Sequence, residues 1–400
     1  SFLRCTPQCS AQIASIHCKD ISFESNPQTE MTSKLLNITA KAVGLLAIII
    51  GLTAKFAPHL FFKVPNIGFI LFAVTGGSPI PPYISSDPFL PENRGWLKQD
   101  DVIVTVAAKS GTTWMMYCSH QIRVKGDDEK YPFSDINMVT PWPGLIQTPG
   151  EGWEPYVREQ MNSTILPDGS KLKDYWDNEE YPFRIFKSHD VVDTYGDLIG
   201  GDKVKFLAMA RNGLDMAASF VPFFDKHSDE FRSLWGNFPP VEPGTAEEKA
   251  ALRLRQLLPG QIFEDFYFPY INSWWKARNE KNVLLLHYSD AKKDLSGTVK
   301  KIANFYGVKL NAKEHKTVVE KCGFPYMKER THLFNYQLPL NSNFDGRIMT
   351  NGSMTRKGNV GDGKVIFTEE DRELWMKAEE ESFGDDPAKL NWARNGGGFD

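Results

Sequence analysis

Four short segments carry the residues best suited to chemistry. The first is AAKSGTTW, residues 107–114. It follows the β-branched apolar run DVIVTVAA and opens the helical pattern SGTTWMMYCSHQIR. A strand-to-helix junction presents unpaired amides and the positive end of a helix dipole, which suits an anion. Lys109 adds a cation, and Ser110, Thr112 and Thr113 add hydroxyl donors. Gly111 allows the backbone to approach a phosphate closely. The Lys stands two residues before the Gly instead of directly after it, so the segment is not the triphosphate loop GxxxxGK[ST]. An ordinary P-loop ATPase or kinase is disfavoured. Taken alone, the segment could equally be a helix cap.

The second segment, FRIFKSHD, ends an apolar run with Lys187 and His189. Residues two apart on a strand point the same way. A Lys can meet developing negative charge, and a His can take a proton near neutral pH. The third, KVKFLAMARNGLDMAASF, repeats the strand-then-helix pattern with Arg211 at the junction. Ser219 follows about two helical turns on. A guanidinium there can grip a phosphate bidentately. The fourth, TRKGNVGDGK, joins Arg356 and Lys357 to Gly358, as a loop closing over an anion would. Each has a structural rival: a surface Lys with a hydrogen-bonded His, an ordinary junction Arg, a solvated turn.

These segments need a scaffold. DVIVTVAA, FRIFKS, KVKFLAMA and NVLLLHY read as buried strands. Helical patterns lie between them, such as LDMAASFVPFF and LSGTVKKIANFYG, where Val299, Ile302, Ala303 and Tyr306 recur at spacings of three and four. Strands alternating with helices predict an α/β fold: three layers, P-loop-like, with a mostly parallel sheet flanked by helices. Ligands in such folds bind beyond the carboxyl ends of the strands. Polar residues 226–254 read as an inserted loop or lid, and residues 386–400 as a flexible tail.

The chain has 400 residues, 41% hydrophobic and 24% charged, with a net charge of -4. That suits a globular protein with a large core. No basic tract points to nucleic acid. Five Cys without a CxxC pair suggest neither a disulfide scaffold nor a zinc site, and favour a reducing, cytoplasmic setting. Residues 1–95 form a divergent extension. Within it, AVGLLAIIIGLTA spans only 13 uncharged residues, short for a membrane span. Residues 35–85 fit buried helices lining a pocket, peripheral membrane contact, or a cleaved targeting segment.

Together and in this order, the four segments resemble the soluble nucleotide-dependent sulfotransferases, over roughly residues 96–380, which implies a sulfotransferase domain at residues 96–385. TPWPGL is similar to microbial or algal members. The resemblance implies a donor, 3′-phosphoadenosine 5′-phosphosulfate (PAPS), as co-substrate and no required metal. It places Lys109, Ser110, Gly111, Thr112 and Thr113 at the 5′-phosphosulfate, with Trp114 stacked on adenine. Arg211 and Ser219 would hold the 3′-phosphate with Arg356, Lys357 and Gly358. Tyr288 and Phe324 would line the adenine pocket, Lys187 would stabilise the transferring group, and His189 would be the general base. Departures from the family pattern include Ala108 for Pro, Ser188 for Thr, YSD for YED, Cys322 and Gly323 for hydroxyl residues, and Gly363 for Trp in GDGK, which would loosen the last loop.

The implied reaction is in-line sulfuryl transfer to a hydroxyl or amine of a small acceptor. Trp142, Trp153, Tyr156, Phe220, Phe223 and Phe224 are candidates for an apolar acceptor wall, or for core. Alternatives are a magnesium-dependent phosphotransferase, a non-catalytic nucleotide-binding or scaffold protein, and a dehydratase acting through a transient sulfate ester. The family often forms homodimers, although no interface motif stands out.

Overall fold

Four apolar runs become four parallel strands in the computed structural model. It describes residues 83–149, 151–166, 168–261, 263–336, 347–350 and 352–398, together with Lys41. The apolar stretches between residues 42 and 82 lie outside the described residues. Strand β1 is Asp101–Val106, β2 Ile185–Ser188, β3 Val204–Ala210 and β4 Val283–His287. Their order in the sheet is β2-β1-β3-β4, every pairing parallel.

Alternation along the strands feeds two cores. Ile103, Phe206, Ala208 and Leu285 pack on one face; Val102, Val104, Leu207 and Met209 pack on the other. Helices cover both faces, so the strands are mostly apolar rather than regularly alternating with polar residues. Helix α1 (Thr112–Arg123) and α2 (Gly213–Asp225) follow β1 and β3 directly. Further helices are α3 (Ala246–Gln256), α4 (Phe268–Ala277), α5 (Leu295–Tyr306), α6 (Ala312–Cys322), α7 (Glu369–Phe383) and α8 (Pro387–Asn395). The chain order reverses between β1 and β3, and a crevice opens beyond their carboxyl ends. Lys109, His189 and Arg211 all lie there.

Two sequence expectations change. Residues 226–254 are not simply a loop: they hold a short helix, Asp229–Leu234, and most of α3, with Phe231, Trp235 and Leu254 buried. The tail is helical to Asn395. Asp386 caps α8 at the Lys389 amide, Pro387 occupies its first turn, and Trp392 packs 5.4 Å from Trp275. Ahead of the expected domain, Tyr83 is buried against Phe231 and Trp235. Among the described residues, no helix is long and apolar enough to cross a membrane.

Candidate active site

The crevice holds a cavity of about 300 Å³. Its donor-side wall begins at the turn after β1. Lys109 has φ 58° and Gly111 φ 101°, so the backbone curls back on itself before α1. The φ of Gly111 is one that L side chains rarely adopt, and a Cβ there would also lie 2.7 Å from Met209 Cε. No side chain caps the start of α1, leaving first-turn amides for a ligand. Thr112, Thr113 and Trp114 line the cavity. Ser110 departs from the expectation that it contacts a ligand. It is fully buried, its amide donates to Ala107 O at 3.0 Å, and its hydroxyl lies 3.4 Å from Ala108 O. It closes the turn from beneath.

The end of β2 brings Lys187 and His189 to the same cavity. His189 Nδ1 is 2.6 Å from Val106 O. A carbonyl only accepts, so Nδ1 carries the hydrogen and Nε2 is the basic nitrogen. Burial, then the neighbouring Lys187 charge, pushes His189 down to about 3 and keeps it neutral. Burial and then Lys109 hold Lys187 well below the usual lysine range. Lys109 is pushed down to about 7 by burial, then by Arg356 and Arg211. Burial is the larger cause at all three groups, and the smaller like-charge contribution is one that an anion would relieve.

Arg211 leaves the end of β3 and faces the cavity beside Ser219. One guanidinium nitrogen donates to Asn359 O at 2.6 Å and lies 3.5 Å from Asp215, while the buried Nε has no hydrogen-bond partner among the described residues. The helix start behind it differs from that of α1, because Asn212 Oδ1 caps the Asp215 amide. The carboxylate of Asp215 also accepts from the amides of Gly361 and Gly363, at 2.8 and 2.9 Å. The segment carrying Arg356, Lys357 and Gly358 is thereby tied to α2. A Cβ on Gly363 would lie 2.6 Å from Leu214 C. The expected loosening at Gly363 is therefore offset by backbone docking that a larger residue would prevent. Gly363→Ala lowers unfolding stability by about 1–3 kcal/mol in urea titration; an unchanged midpoint would contradict this close approach.

Tyr288, Trp114 and Phe324 line the cavity with Gly358. The Trp114 and Tyr288 rings meet edge-on at 5.3 Å, and Trp114 Nε1 donates to Cys322 O at 2.8 Å. Gly358 has φ 62°, and a Cβ there would reach 2.7 Å from the Phe324 ring. Trp142, Phe220, Phe223 and Phe224 line the cavity, whereas Trp153 and Tyr156 belong to a separate core cluster. Sequence reasoning missed Tyr83, His227 and Tyr336 as wall residues. His227 Nε2 is 3.2 Å from Tyr83 OH, and Tyr336 OH is 2.8 Å from Thr113 Oγ1. None belongs to a recognisable motif. Among the described residues, no group of three or more His, Cys, Asp or Glu is placed to hold a metal ion.

Comparison with known proteins gives a consistent result. Residues 99–386 match the family described as Sulfotransferase domain. Sulfotransferase 2A1 of Rattus norvegicus is 28% identical over 301 residues, covering 75% of this chain and 90% of its own. Sulfotransferase 1B1 of Canis lupus familiaris is 28% identical over 278 residues, covering 68% and 79%. Crystal structures of retinol dehydratase, one with retinol and PAP and one with androsterone and the inactive cofactor PAP, share the fold. For each the TM-score is 0.52 at 20% identity, covering 72% of this chain and 82% of theirs. With the matched domain spanning β1 to α7, the chain belongs to the sulfotransferase family.

Proposed function

We propose that this chain transfers the sulfuryl group of PAPS to a hydroxyl or amine of a small apolar acceptor. The carrying observation is the convergence of the uncapped α1 start, Lys109, Lys187, His189 and Arg211 on one cavity. The names of the relatives and the PAP complexes of retinol dehydratase support the choice of donor.

The acceptor oxygen or nitrogen attacks sulfur in line, forming the new bond as the sulfur–oxygen bond to the 5′-phosphate breaks. His189 Nε2 takes the acceptor's proton, and the leaving phosphate keeps the bonding electron pair. Lys187, Lys109 and the α1 amides meet the charge that develops on the sulfuryl and leaving oxygens. Products are the sulfated acceptor and 3′,5′-adenosine bisphosphate (PAP). The scheme routes no step through a metal. Trp142, Phe220 and Phe223 favour an apolar acceptor body.

Arg211→Gln tests the donor assignment. It reduces the preference for PAP over 5′-AMP by about 10- to 100-fold, the range for a charged hydrogen bond. An unchanged preference places the 3′-phosphate elsewhere.

A pH effect follows from Lys109, which lies near 7 in the empty site. An anionic ligand raises that value, so binding takes up a proton above it. The Lys109 contribution to PAP affinity therefore weakens as pH rises through about 7. Calorimetry one unit above that value, in buffers of different ionisation enthalpy, reads net proton uptake. Zero uptake or net release would contradict the Lys109 contact.

A further inference from the structure

Lys187 raises a physical question that the reaction scheme does not answer. It is only 4% exposed, and among charged groups Lys109 opposes its charge while Asp135 favours it. A buried ammonium with little counter-charge is costly. The aromatic walls meet this demand. Lys187 Nζ lies 3.5 Å from the centroid of the Trp142 ring and 4.2 Å from that of Tyr336. The π-face carries partial negative charge, and desolvated cation–π contacts are the stronger ones.

Trp142 is held where it can do this. The Lys187 amide donates to Pro141 O at 2.9 Å, so the segment bearing Trp142 is paired to the strand bearing Lys187. The Leu145 amide closes a turn onto Trp142 O at 2.9 Å. A Cβ on Gly144 would collide with the Ser85 carbonyl. Trp142 also meets the His189 ring edge-on, at 5.3 Å and 80°. Tyr336 is tied to the donor side instead, through Thr113 Oγ1 at 2.8 Å.

We propose that Trp142 is a positioning residue for sulfuryl transfer: its indole face holds the Lys187 ammonium, and its edge sets the His189 ring. Tyr336 closes the opposite side of the ammonium. The clamp favours the ammonium form against the burial that lowers it, and aims Nζ before the donor arrives. This inference rests on the sulfotransferase reading for its kinetic consequence, but not for its geometry.

The test therefore has two arms, each comparing the parent with Trp142→Leu and Trp142→Phe. In the first, NMR of selectively labelled lysine follows the Lys187 ε-CH₂ signal, assigned by its loss in Lys187→Met. Stacking on the indole predicts an upfield ring-current shift in the parent, lost in Trp142→Leu and partly kept in Trp142→Phe. A Lys187 signal at the exposed-lysine position in the parent overturns the proposal. The second arm measures PAPS-dependent sulfation of 2-naphthol. Trp142→Leu lowers kcat roughly 5- to 30-fold, with PAP affinity retained, and Trp142→Phe recovers most of the loss. A rise in acceptor KM alone, with kcat unchanged, reduces Trp142 to acceptor packing and overturns the proposal. If the parent neither sulfates 2-naphthol nor binds PAP, the sulfotransferase reading falls, while the spectroscopic arm still decides the clamp.

Discussion

His189→Ala lowers turnover in PAPS-dependent sulfation by about 10²- to 10⁴-fold, the range for losing a general base, and leaves PAP binding intact. The geometry separates these effects. Nδ1–H is committed to Val106 O at 2.6 Å, which leaves Nε2 as the basic nitrogen. The depressed basicity of the empty site comes from burial and the Lys187 charge. An anionic donor offsets that charge, so the base becomes effective once the donor is bound. In the proposed donor site the phosphates are assigned to other groups: the α1 start, Arg211 and the Arg356 segment. A variant that lost turnover and PAP affinity equally would place His189 in donor binding. A variant that kept turnover would remove it from the chemistry.

Lys187→Met keeps an unbranched side chain of similar length and removes the charge. It lowers kcat by about 10²- to 10³-fold, as expected when one preorganised electrostatic donor is lost. Acceptor KM changes little, because the interaction strengthens as charge develops on the sulfuryl oxygens. The Met variant also removes the like charge closest to His189, so His189 becomes more basic and the acid limb of the kcat profile moves upward. This second readout separates loss of an electrostatic group from simple misfolding. Unchanged kcat with raised KM would assign Lys187 to acceptor binding.

Much of the scaffold was legible because it is locally encoded. Strand β1 is a continuous β-branched run, as a strand buried on both sides must be. The starts of α1 and α2 follow the strand-to-helix junctions at Gly111 and Arg211, where the sequence patterns predicted them. What escaped depends on chain segments distant in sequence. Tyr83 and Tyr336 reach the cavity from irregular stretches, where neither a period of two nor of 3.6 signals direction. Ser110 looked like a ligand donor by type, yet the tight turn forces it inward. The α8 helix had its signal in Asp386 and Pro387, but the glycines after Asn395 suggested fraying. Gly363 was read as a missing aromatic; its backbone contact with Leu214 could not be seen from composition.

The most direct test of the central claim is calorimetric titration of the purified chain with PAP, with 5′-AMP as the control. The two nucleotides differ by the 3′-phosphate that Arg211, Ser219 and the Arg356 segment are proposed to hold. PAP binding roughly 10- to 100-fold tighter than 5′-AMP is the predicted result. Equal affinity, or binding of neither, would contradict a working PAPS donor site in this cavity.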